Sequence, residues 1–237
     1  MPESASTILV VGASRGLGLG LVREYLRRGW RVVGTVRDSG RDPARPTALH
    51  ALAAEQPARL AIEIVDITRP DQVAALRARL DGRRIDLLFV NAGVSNGPAE
   101  TIATVSTEEF MRVMLTNALS PMRVVEALAD LVPPSGTIAV MSSGLGSVAN
   151  NDRGGYEVYR ASKASLNTLM RSFAARHSDD PRTLLTIAPG WVRTDMGGPA
   201  AALDVETSIR GVADTIAARA GQPGLAYLDH AGRIVPW

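Results

Sequence analysis

The chain has 237 residues, of which 46% are hydrophobic and 21% charged, and this composition predicts an ordinary soluble globular protein with a sizeable core. It contains no cysteine, which excludes disulfides and a cysteine nucleophile, and its three histidines are too far apart in sequence to suggest a metal site. The net charge is only +2 and the arginines are scattered, so we expect no nucleic-acid partner; without a membrane-spanning run or a signal peptide, we expect a cytoplasmic location.

Short apolar strands alternate with amphipathic helices along the chain. The pattern predicts strands at Thr7–Val11, Arg31–Val36, Leu60–Val65, Asp86–Val90, Thr137–Met141 and Thr183–Ile187. It predicts helices between Gly12 and Gly29, over Asp71–Leu80 after Pro70, from a Ser106/Glu109 capping box to about Leu131, and over about Tyr159–His177. Such alternation indicates a doubly wound α/β fold of Rossmann type, with a parallel sheet covered on both faces. We expect one domain over 1–237, with Ser39–Pro46 as a surface loop.

A glycine cluster follows the first strand, in the segment Gly12-Ala13-Ser14-Arg15-Gly16-Leu17-Gly18. In doubly wound sheets, ligands bind beyond the carboxyl ends of the strands. Glycines at this position allow a tight turn and the close approach of a pyrophosphate to a helix N-terminus. The spacing is not the usual GxGxxG, and a glycine cluster alone can also be a flexible turn. Its place between a strand and a helix favours a dinucleotide site.

The end of the second strand bears on the choice between NADP and NAD. An arginine there accommodates the 2′-phosphate of NADP, whereas a carboxylate binds the ribose of NAD. Arg37 follows the strand and Arg15 lies in the glycine segment, which favours NADP(H) over NAD(H). Asp38 is the alternative, because it can pair with Arg37 or reach a ribose, and both arginines can also be surface charges.

Further candidate residues follow other strands. Asp66 and the small residues Asn91-Ala92-Gly93 stand where a cofactor can lie against the backbone, although each can also be an ordinary turn. Pro121 removes the helical partner of the Asn117 carbonyl, so we expect a local bend in the long helix. The freed carbonyl can hold a water, or the kink can be incidental.

The sharpest motif is Tyr159-Arg160-Ala161-Ser162-Lys163, which contains the only lysine of the chain. Residues four apart share a helix face, so the ammonium is expected to lower the pKa of Tyr159 for proton transfer. Ser142 and Ser143 end the preceding strand, and at most one of them is expected to face the site because successive strand residues point in opposite directions. A YxxxK motif alone occurs by chance in many helices, but here it accompanies the glycine segment and the serines.

In this order, the motifs resemble the short-chain dehydrogenase/reductase family over essentially the whole chain, with Val11 where the family often has threonine. The resemblance implies that Asn117, Ser143, Tyr159 and Lys163 are catalytic, although the stretch between Ser143 and Tyr159 is longer than usual. It implies a cofactor site formed by Gly12, Ser14, Arg15, Gly16, Leu17, Gly18, Arg37, Asp66, Ile67, Asn91, Ala92, Gly93, Tyr159, Lys163, Pro189, Gly190, Val192 and Thr194. In it, Val192 would offer backbone groups to the carboxamide, and Thr194 would reach a phosphate.

The expected function is NADPH-dependent, reversible reduction of a carbonyl compound to an alcohol, with Tyr159 as general acid. The segment Tyr227–Trp237 resembles the end of a subgroup that includes carbonyl reductases and a bacterial cell-contact signalling protein. The alternatives are therefore a cofactor-binding signalling protein with little turnover, an NAD-preferring alcohol dehydrogenase, and an epimerase or dehydratase.

We expect substrate preference in Gly144–Val158, where Arg153 can bind an acidic group or be solvated, and in a mobile lid around Asp195–Leu203. The resemblance implies a homodimer or homotetramer formed through the helices that begin near Ser106 and Tyr159.

Overall fold

The computed structural model describes residues 5–37, 47–97 and 99–237. Its strands are β1 (Thr7–Val11), β2 (Arg31–Val36), β3 (Leu60–Ile64), β4 (Leu87–Val90), β5 (Thr137–Met141), β6 (Thr183–Ala188) and β7 (Gly224–Asp229). Its α-helices are α1 (Gly16–Arg27), α2 (Ala48–Glu55), α3 (Pro70–Arg79), α4 (Thr107–Met114), α5 (Ser120–Leu128), α6 (Glu157–Arg176) and α7 (Val205–Arg219). None of the helices in these ranges is long and apolar enough to cross a membrane.

In the described part of the chain, seven strands form one sheet in the order β3-β2-β1-β4-β5-β6-β7, and every neighbouring pair is parallel. The chain moves outward from β1 to β3, then crosses back to β4 beside β1 and continues to β7. The doubly wound Rossmann-type fold is thus confirmed. Its strand order reverses between β1 and β4, where the ends of neighbouring strands open a crevice for a ligand.

Successive residues of the strands enter two different cores. Leu9 and Val11 of β1 pack in the cluster that contains apolar residues of α3, α5 and α6. Ile8 and Val10 pack in the cluster that contains residues of α1 and α7. Because the side chains of a strand alternate between its faces, this division places helices on both sides of the sheet. The strands read as continuous apolar runs for the same reason.

The long helix predicted from Ser106 to Leu131 is interrupted. It consists of α4, a π-helical turn over Leu115–Leu119, α5 and a final 3₁₀ turn over Ala129–Leu131. Pro121 cannot donate a backbone N–H, and a π-helical turn immediately before it is a known way to accommodate such a defect. The predicted irregularity is present at Asn117, which lies in this turn.

Only half of the predicted capping box forms at the start of α4. The Ser106 hydroxyl accepts a hydrogen bond from the backbone N–H of Glu109 at 3.1 Å. The Glu109 carboxylate instead accepts two hydrogen bonds from Arg112, each at 2.7 Å. The charged Arg112, three residues after Glu109, outcompetes the backbone N–H of Ser106 for this carboxylate.

Other predicted boundaries differ from the observed ones by one or two residues. The helices α2 and α7 were not predicted, and α2 is short and rich in alanine, which gives it a weak amphipathic pattern. The predicted loop Ser39–Pro46 and the alternative ribose ligand Asp38 lie outside the described residues.

Candidate active site

The candidate cofactor segment begins with a tightly packed glycine turn at the end of β1. A Cβ built on Gly18 would lie 1.9 Å from the Gly12 carbonyl oxygen, and one on Gly12 would lie 2.8 Å from the Cα of Ala92. Gly12 also has a φ of +89°, in the left-handed region. The side chain of Asn91 donates to the Gly12 carbonyl at 2.7 Å. The segments after β1 and β4 thus form one surface of closely packed backbone at the strand-order reversal.

The N-terminus of α1 faces this surface. Arg15 is its N-cap residue, and its side chain makes no capping hydrogen bond to the helix. The first turn contains Gly16, Leu17 and Gly18. A helix N-terminus without a side-chain cap offers backbone N–H groups and a positive dipole end to an anion. This arrangement fits a dinucleotide pyrophosphate.

Arg15 crosses from the glycine turn to the segment after β6. Its guanidinium contacts the carboxylate of Asp195 at 3.1 Å, and both side chains are largely exposed. Arg37, immediately after β2, is also exposed. Both predicted phosphate ligands therefore follow the carboxyl end of a strand, β1 for Arg15 and β2 for Arg37. The Asp195 carboxylate competes with a phosphate for Arg15, and the sequence pattern did not indicate this contact.

Asp66 and Ile67 follow β3 in a compact turn. The Asp66 carboxylate accepts hydrogen bonds from the backbone and hydroxyl of Thr68, at 2.9 and 2.7 Å. Gln72 accepts the backbone N–H of Asp66 at 2.7 Å. Ile67 is buried in the core. The turn is thus fixed by its own hydrogen bonds, with Asp66 half-buried at the end of the sheet.

Ser142 and Ser143 face different surroundings at the end of β5. Ser142 is buried, and its hydroxyl donates to the side-chain oxygen of Asn167 on α6 at 2.7 Å. The Ser143 hydroxyl lies beside the phenol of Tyr159 and accepts the backbone N–H of Leu145 at 3.1 Å. Of the two serines, only Ser143 thus presents its hydroxyl to Tyr159, as expected for the second serine of the pair.

Tyr159 and Lys163 share one face of α6, as their spacing requires. The Lys163 ammonium lies 5.8 Å from the centre of the Tyr159 ring and donates to the Met141 carbonyl at 2.8 Å. A Cβ on Gly93 would lie 3.4 Å from the Lys163 nitrogen. The lysine therefore reaches from α6 to the ends of β4 and β5, and it places a buried cation at the centre of the site.

Burial is the largest influence on the pKa of Tyr159, and it acts against the lowering expected from Lys163. Burial raises the pKa of Tyr159 to about 12, and the hydrogen bond from Ser143 opposes this rise. Burial also lowers the pKa of Lys163 to about 8. Desolvation disfavours the charged form of each group, and it is the largest cause of both pKa shifts. The phenol therefore stays protonated through the neutral range and is available as an acid.

Asn117 joins α6 to the segment after β4. Its side chain accepts the backbone N–H of Val94 and donates to the Val94 carbonyl, both at 2.8 Å. It also donates to the hydroxyl of Ser162 at 3.0 Å. Asn117 is fully buried, and its amide lies close to Gly93 and the Lys163 nitrogen. The Asn117 side chain thus holds Val94 and Ser162 in place near Lys163. The water-binding role predicted for its main-chain carbonyl stays a prediction.

The segment after β6 forms a hydrogen-bonded loop beside the glycine turn. Pro189 is buried, and its carbonyl accepts the hydroxyl of Ser208 at 2.7 Å. Gly190 has a φ of +84°, and Val192 is buried in a bridge to Leu203. Thr194 lies near Gly16, with its methyl carbon 3.6 Å from the place of a Cβ there. The segment after β6, with its predicted cofactor contacts, therefore lies beside the N-terminus of α1.

Hydrogen bonds join the ends of the segment predicted as a mobile lid, and its mobility stays a prediction. Arg193 donates its backbone N–H to the Leu203 carbonyl at 2.8 Å, and Leu203 donates to the Trp191 carbonyl at 3.0 Å. The Trp191 indole donates to Gly197 at 2.8 Å. These contacts close the loop on itself. Trp191 and Met196 are exposed apolar side chains on it, available to an apolar ligand.

One neighbour of the site was missed by the sequence analysis. Tyr227 on β7 is buried, and its hydroxyl donates to the main-chain carbonyl of Ser143. The two residues are 84 positions apart in sequence, and nothing in the local pattern of β7 indicates the contact. The adjacency of β6 and β7 in the sheet produces it.

Comparison with known proteins identifies the family. The model of the short chain dehydrogenases matches residues 6–203, which includes the glycine turn, Ser143, Tyr159 and Lys163. The chain belongs to this family. It is accordingly an oxidoreductase of the NAD(P)-binding short-chain dehydrogenase type.

Several relatives resemble this short-chain dehydrogenase over most of their own length. A Burkholderia multivorans protein assigned to the short-chain dehydrogenases/reductases and solved with bound NADP is 56% identical, with a TM-score of 0.95 over 99% of this chain and 100% of that one. A carbonyl reductase from Pseudomonas aeruginosa in complex with NADP is 37% identical, with a TM-score of 0.89 over 99% and 100%. The C-signal of Myxococcus xanthus is 36% identical over 65% of this chain and 93% of its own length.

Proposed function

We propose that the protein is an NADPH-dependent carbonyl reductase that converts an aldehyde or ketone reversibly to an alcohol. One observation carries this proposal: the buried Lys163 ammonium lies 5.8 Å from the centre of the Tyr159 ring on the same face of α6, and the Ser143 hydroxyl lies beside the phenol. A hydroxyl and a phenol that meet at one point can donate two hydrogen bonds to the same carbonyl oxygen. The similarity to a carbonyl reductase supports this substrate class.

The crevice fits the proposed cofactor on its own geometry. The packed turn at Gly12 and Gly18 leaves backbone exposed where a side chain would fill the space. The uncapped N-terminus of α1 suits the pyrophosphate, with Thr194 beside it. We assign the remaining contacts to the residues after β3, β4 and β6, from Asp66 to Val192. When bound, NADP(H) supplies or accepts the hydride.

In this proposal, different side chains of the site orient the substrate, donate the proton and stabilise the developing charge. Ser143 donates a hydrogen bond to the carbonyl oxygen and orients it. Tyr159 donates the proton, and its raised pKa keeps the phenol protonated at neutral pH. The positive charge of Lys163 stabilises the negative charge that develops on the oxygens as the proton leaves. The Asn117 side chain holds Val94 and Ser162 in place near Lys163. We assign its main-chain carbonyl to bind the water that resupplies the proton.

The preference for NADP(H) rests on Arg15 and Arg37. Two guanidinium groups at the crevice favour binding of the 2′-phosphate of NADP, and NAD lacks this phosphate. Arg15 contacts Asp195 at 3.1 Å, so the phosphate has to displace an exposed ion pair that contributes little to stability. The NADP bound to the Burkholderia multivorans and Pseudomonas aeruginosa relatives supports this choice.

We further propose that 1–237 acts as one domain and that two copies associate through α4 and α6. All seven strands of the described residues belong to one sheet. A groove of about 690 Å³ lies between these helices, and Met111, Leu119 and Leu169 expose apolar side chains along it. Exposed apolar patches of this kind mark association surfaces. Sedimentation of the wild type should give a dimer or tetramer and of Leu169→Glu a monomer; a monomeric wild type refutes the interface.

The decisive experiment for the function is NADPH oxidation by the purified protein against a panel of aldehydes, ketones, quinones and α-dicarbonyls, with NADH in parallel. The proposal predicts turnover that favours NADPH, with alcohol formed in equal amount to the NADPH consumed. Turnover that favours NADH would overturn the cofactor assignment and direct attention to Asp38.

The similarity to the C-signal of Myxococcus xanthus favours a second candidate, a cofactor-binding signalling protein. The complete set of Ser143, Tyr159 and Lys163 opposes it, because a protein without turnover does not need a buried lysine beside a phenol. Tight NADPH binding with no oxidation by any carbonyl of the panel would favour this candidate over the reductase.

A further inference from the structure

Tyr227 lies behind the proposed catalytic serine. It is 2% exposed on β7, and its hydroxyl donates to the main-chain carbonyl of Ser143. The same carbonyl accepts the backbone N–H of Gly146 at 2.8 Å, so both of its acceptor positions are filled. The backbone N–H of Leu145 donates to the Ser143 hydroxyl at 3.1 Å. The serine is thus held through its main chain as well as its side chain.

The surroundings of Tyr227 hold its ring in place. Trp237 packs on the Tyr227 ring, with ring centres 5.2 Å apart. The guanidinium carbon of Arg171 on α6 lies 5.2 Å from the centre of the Trp237 ring. The backbone N–H of Val235 donates to the Tyr227 carbonyl at 2.9 Å. The segment after β7 therefore returns to the sheet and fixes the phenol against β5.

The same returning segment also holds the chain after Ser143. The backbone N–H of Ala149 donates to the Trp237 carbonyl at 3.0 Å. The hydroxyl of Ser142 and the side chain of Asn167 lie next to the Tyr227 hydroxyl and lower the pKa of that phenol, against a larger rise from burial. One cluster thus joins β7, α6 and the turn that carries the reacting hydroxyl.

We propose that Tyr227 is a positioning residue for Ser143: its hydroxyl fixes the Ser143 carbonyl, and this sets the distance between the Ser143 hydroxyl and the Tyr159 phenol. The inference rests on the proposed carbonyl reduction. A hydrogen-bond donor that is aimed at a developing charge loses much of its effect when it moves by a fraction of an ångström. The Tyr227 hydroxyl donates to the main chain of Ser143 rather than to either reacting hydroxyl, so its hydrogen bond acts through the Ser143 backbone.

The test is Tyr227→Phe, which removes the hydroxyl and keeps the ring between β5 and Trp237. The Ser143 carbonyl retains its bond from Gly146, so we expect a folded protein. We expect kcat to fall about tenfold, with the KM for NADPH within about twofold of the wild type. The Ser143 hydrogen bond lowers the pKa of Tyr159 more than the neighbouring Tyr227 raises it, so weakening that bond should move the alkaline limb of the kcat profile to higher pH.

The matched control is Tyr25→Phe, which removes another buried phenol hydroxyl, on α1 against Trp30. It should change neither kcat nor the pH profile. The proposal is overturned if Tyr227→Phe keeps the wild-type kcat and alkaline limb and merely loses as much thermal stability as the control. That result would make the hydroxyl a structural partner of a buried carbonyl and nothing more.

A second variant covers failure of Tyr227→Phe to fold. Trp237→Ala removes a partly exposed ring that supports Tyr227 and leaves the phenol itself. We expect the same changes with a smaller loss, about threefold in kcat; an unchanged kcat and alkaline limb would overturn the proposal. Failure of the proposed function is recognised separately, because then the wild type turns over no carbonyl or Tyr159→Phe keeps its rate.

Discussion

Glycines on the two sides of the site have opposite surroundings. At Gly12 and Gly18, a Cβ would collide with backbone atoms of the neighbouring segments. At Gly154 and Gly155, between Ser143 and Tyr159, no atom lies within 4 Å of the place of a Cβ. At Gly12 and Gly18 the candidate cofactor side is therefore packed backbone with no room for a side chain, whereas the candidate substrate side has open space at Gly154 and Gly155. This difference suggests that the first side fixes one ligand and the second accommodates the substrate-specific part of the chain.

Between these two sides stand the two residues that the family resemblance assigns to both catalysis and the cofactor. Tyr159 and Lys163 project from α6, the described helix that contacts both the end of β5 and the π-helical turn at Asn117. Changes on the cofactor side should weaken NADPH binding, and changes on the substrate side should leave it intact. Changes at the centre should abolish turnover while both ligands still bind.

The largest effect is expected for Tyr159→Phe. The variant lacks the proton donor and keeps the ring, so kcat should fall by at least about 10³-fold while NADPH binding stays within about threefold. Stopped-flow turnover and NADPH fluorescence titration measure the two quantities. Appreciable residual turnover would remove Tyr159 from the role of general acid.

The two serines give the next effect. Ser143→Ala removes a hydrogen bond to the carbonyl oxygen and should lower kcat about 10²-fold. Ser142→Ala is the matched control, because its buried hydroxyl is bonded to Asn167 and lies beside Tyr227 rather than Tyr159. It should cost about 1 kcal/mol of unfolding free energy, measured by urea denaturation, and less than about threefold in kcat. Equal losses of kcat would contradict the assignment of the reacting hydroxyl.

The two sets of glycines test the comparison itself. Gly18→Ala places a Cβ 1.9 Å from the Gly12 carbonyl oxygen, so the turn must open and NADPH binding should weaken about 30-fold, with a lower melting temperature. Gly155→Ala meets no neighbour but must adopt a φ of +69°, which costs about 1 kcal/mol. Calorimetric titration should show unchanged NADPH affinity in the second variant. Comparable losses of affinity would show that the two sides are not separate.

The smallest effect is expected at the arginine after β2. Arg37→Ala removes one of two cations from the proposed 2′-phosphate site and should lower the NADPH over NADH preference in kcat/KM about tenfold. Arg31→Ala, at the opposite end of the same strand, is the control and should leave the preference unchanged. An unchanged ratio in Arg37→Ala would assign Arg37 to the solvated surface.

The sequence predicts the strands and the motif-bearing segments well because both depend on local patterns. The apolar runs of β1 and β5 and the i, i+4 pair Tyr159 and Lys163 are read directly from neighbouring residues. The choice of Ser143 over Ser142 required the alternation of a strand together with the family resemblance. Each of these predictions uses residues within a few positions of one another.

The features that were missed depend on distant pairs or on burial. Asp195 meets Arg15 across 180 positions, and Tyr227 meets Ser143 across 84. The pKa of Tyr159 was expected to fall because Lys163 was visible in the sequence, whereas the desolvation that raises it is a property of the packed site. No pattern within one element carries information of this kind.

The central claim is that a hydride moves from the nicotinamide to a carbonyl carbon held by Ser143 and Tyr159. The most direct test is a turnover of the best carbonyl of the panel with NADPH deuterated on the transferred position, followed by mass spectrometry of the alcohol. The account predicts one deuterium on the carbinol carbon with the wild type and no labelled alcohol with Tyr159→Phe. Alcohol without deuterium on that carbon, or labelled alcohol formed equally by Tyr159→Phe, would contradict it.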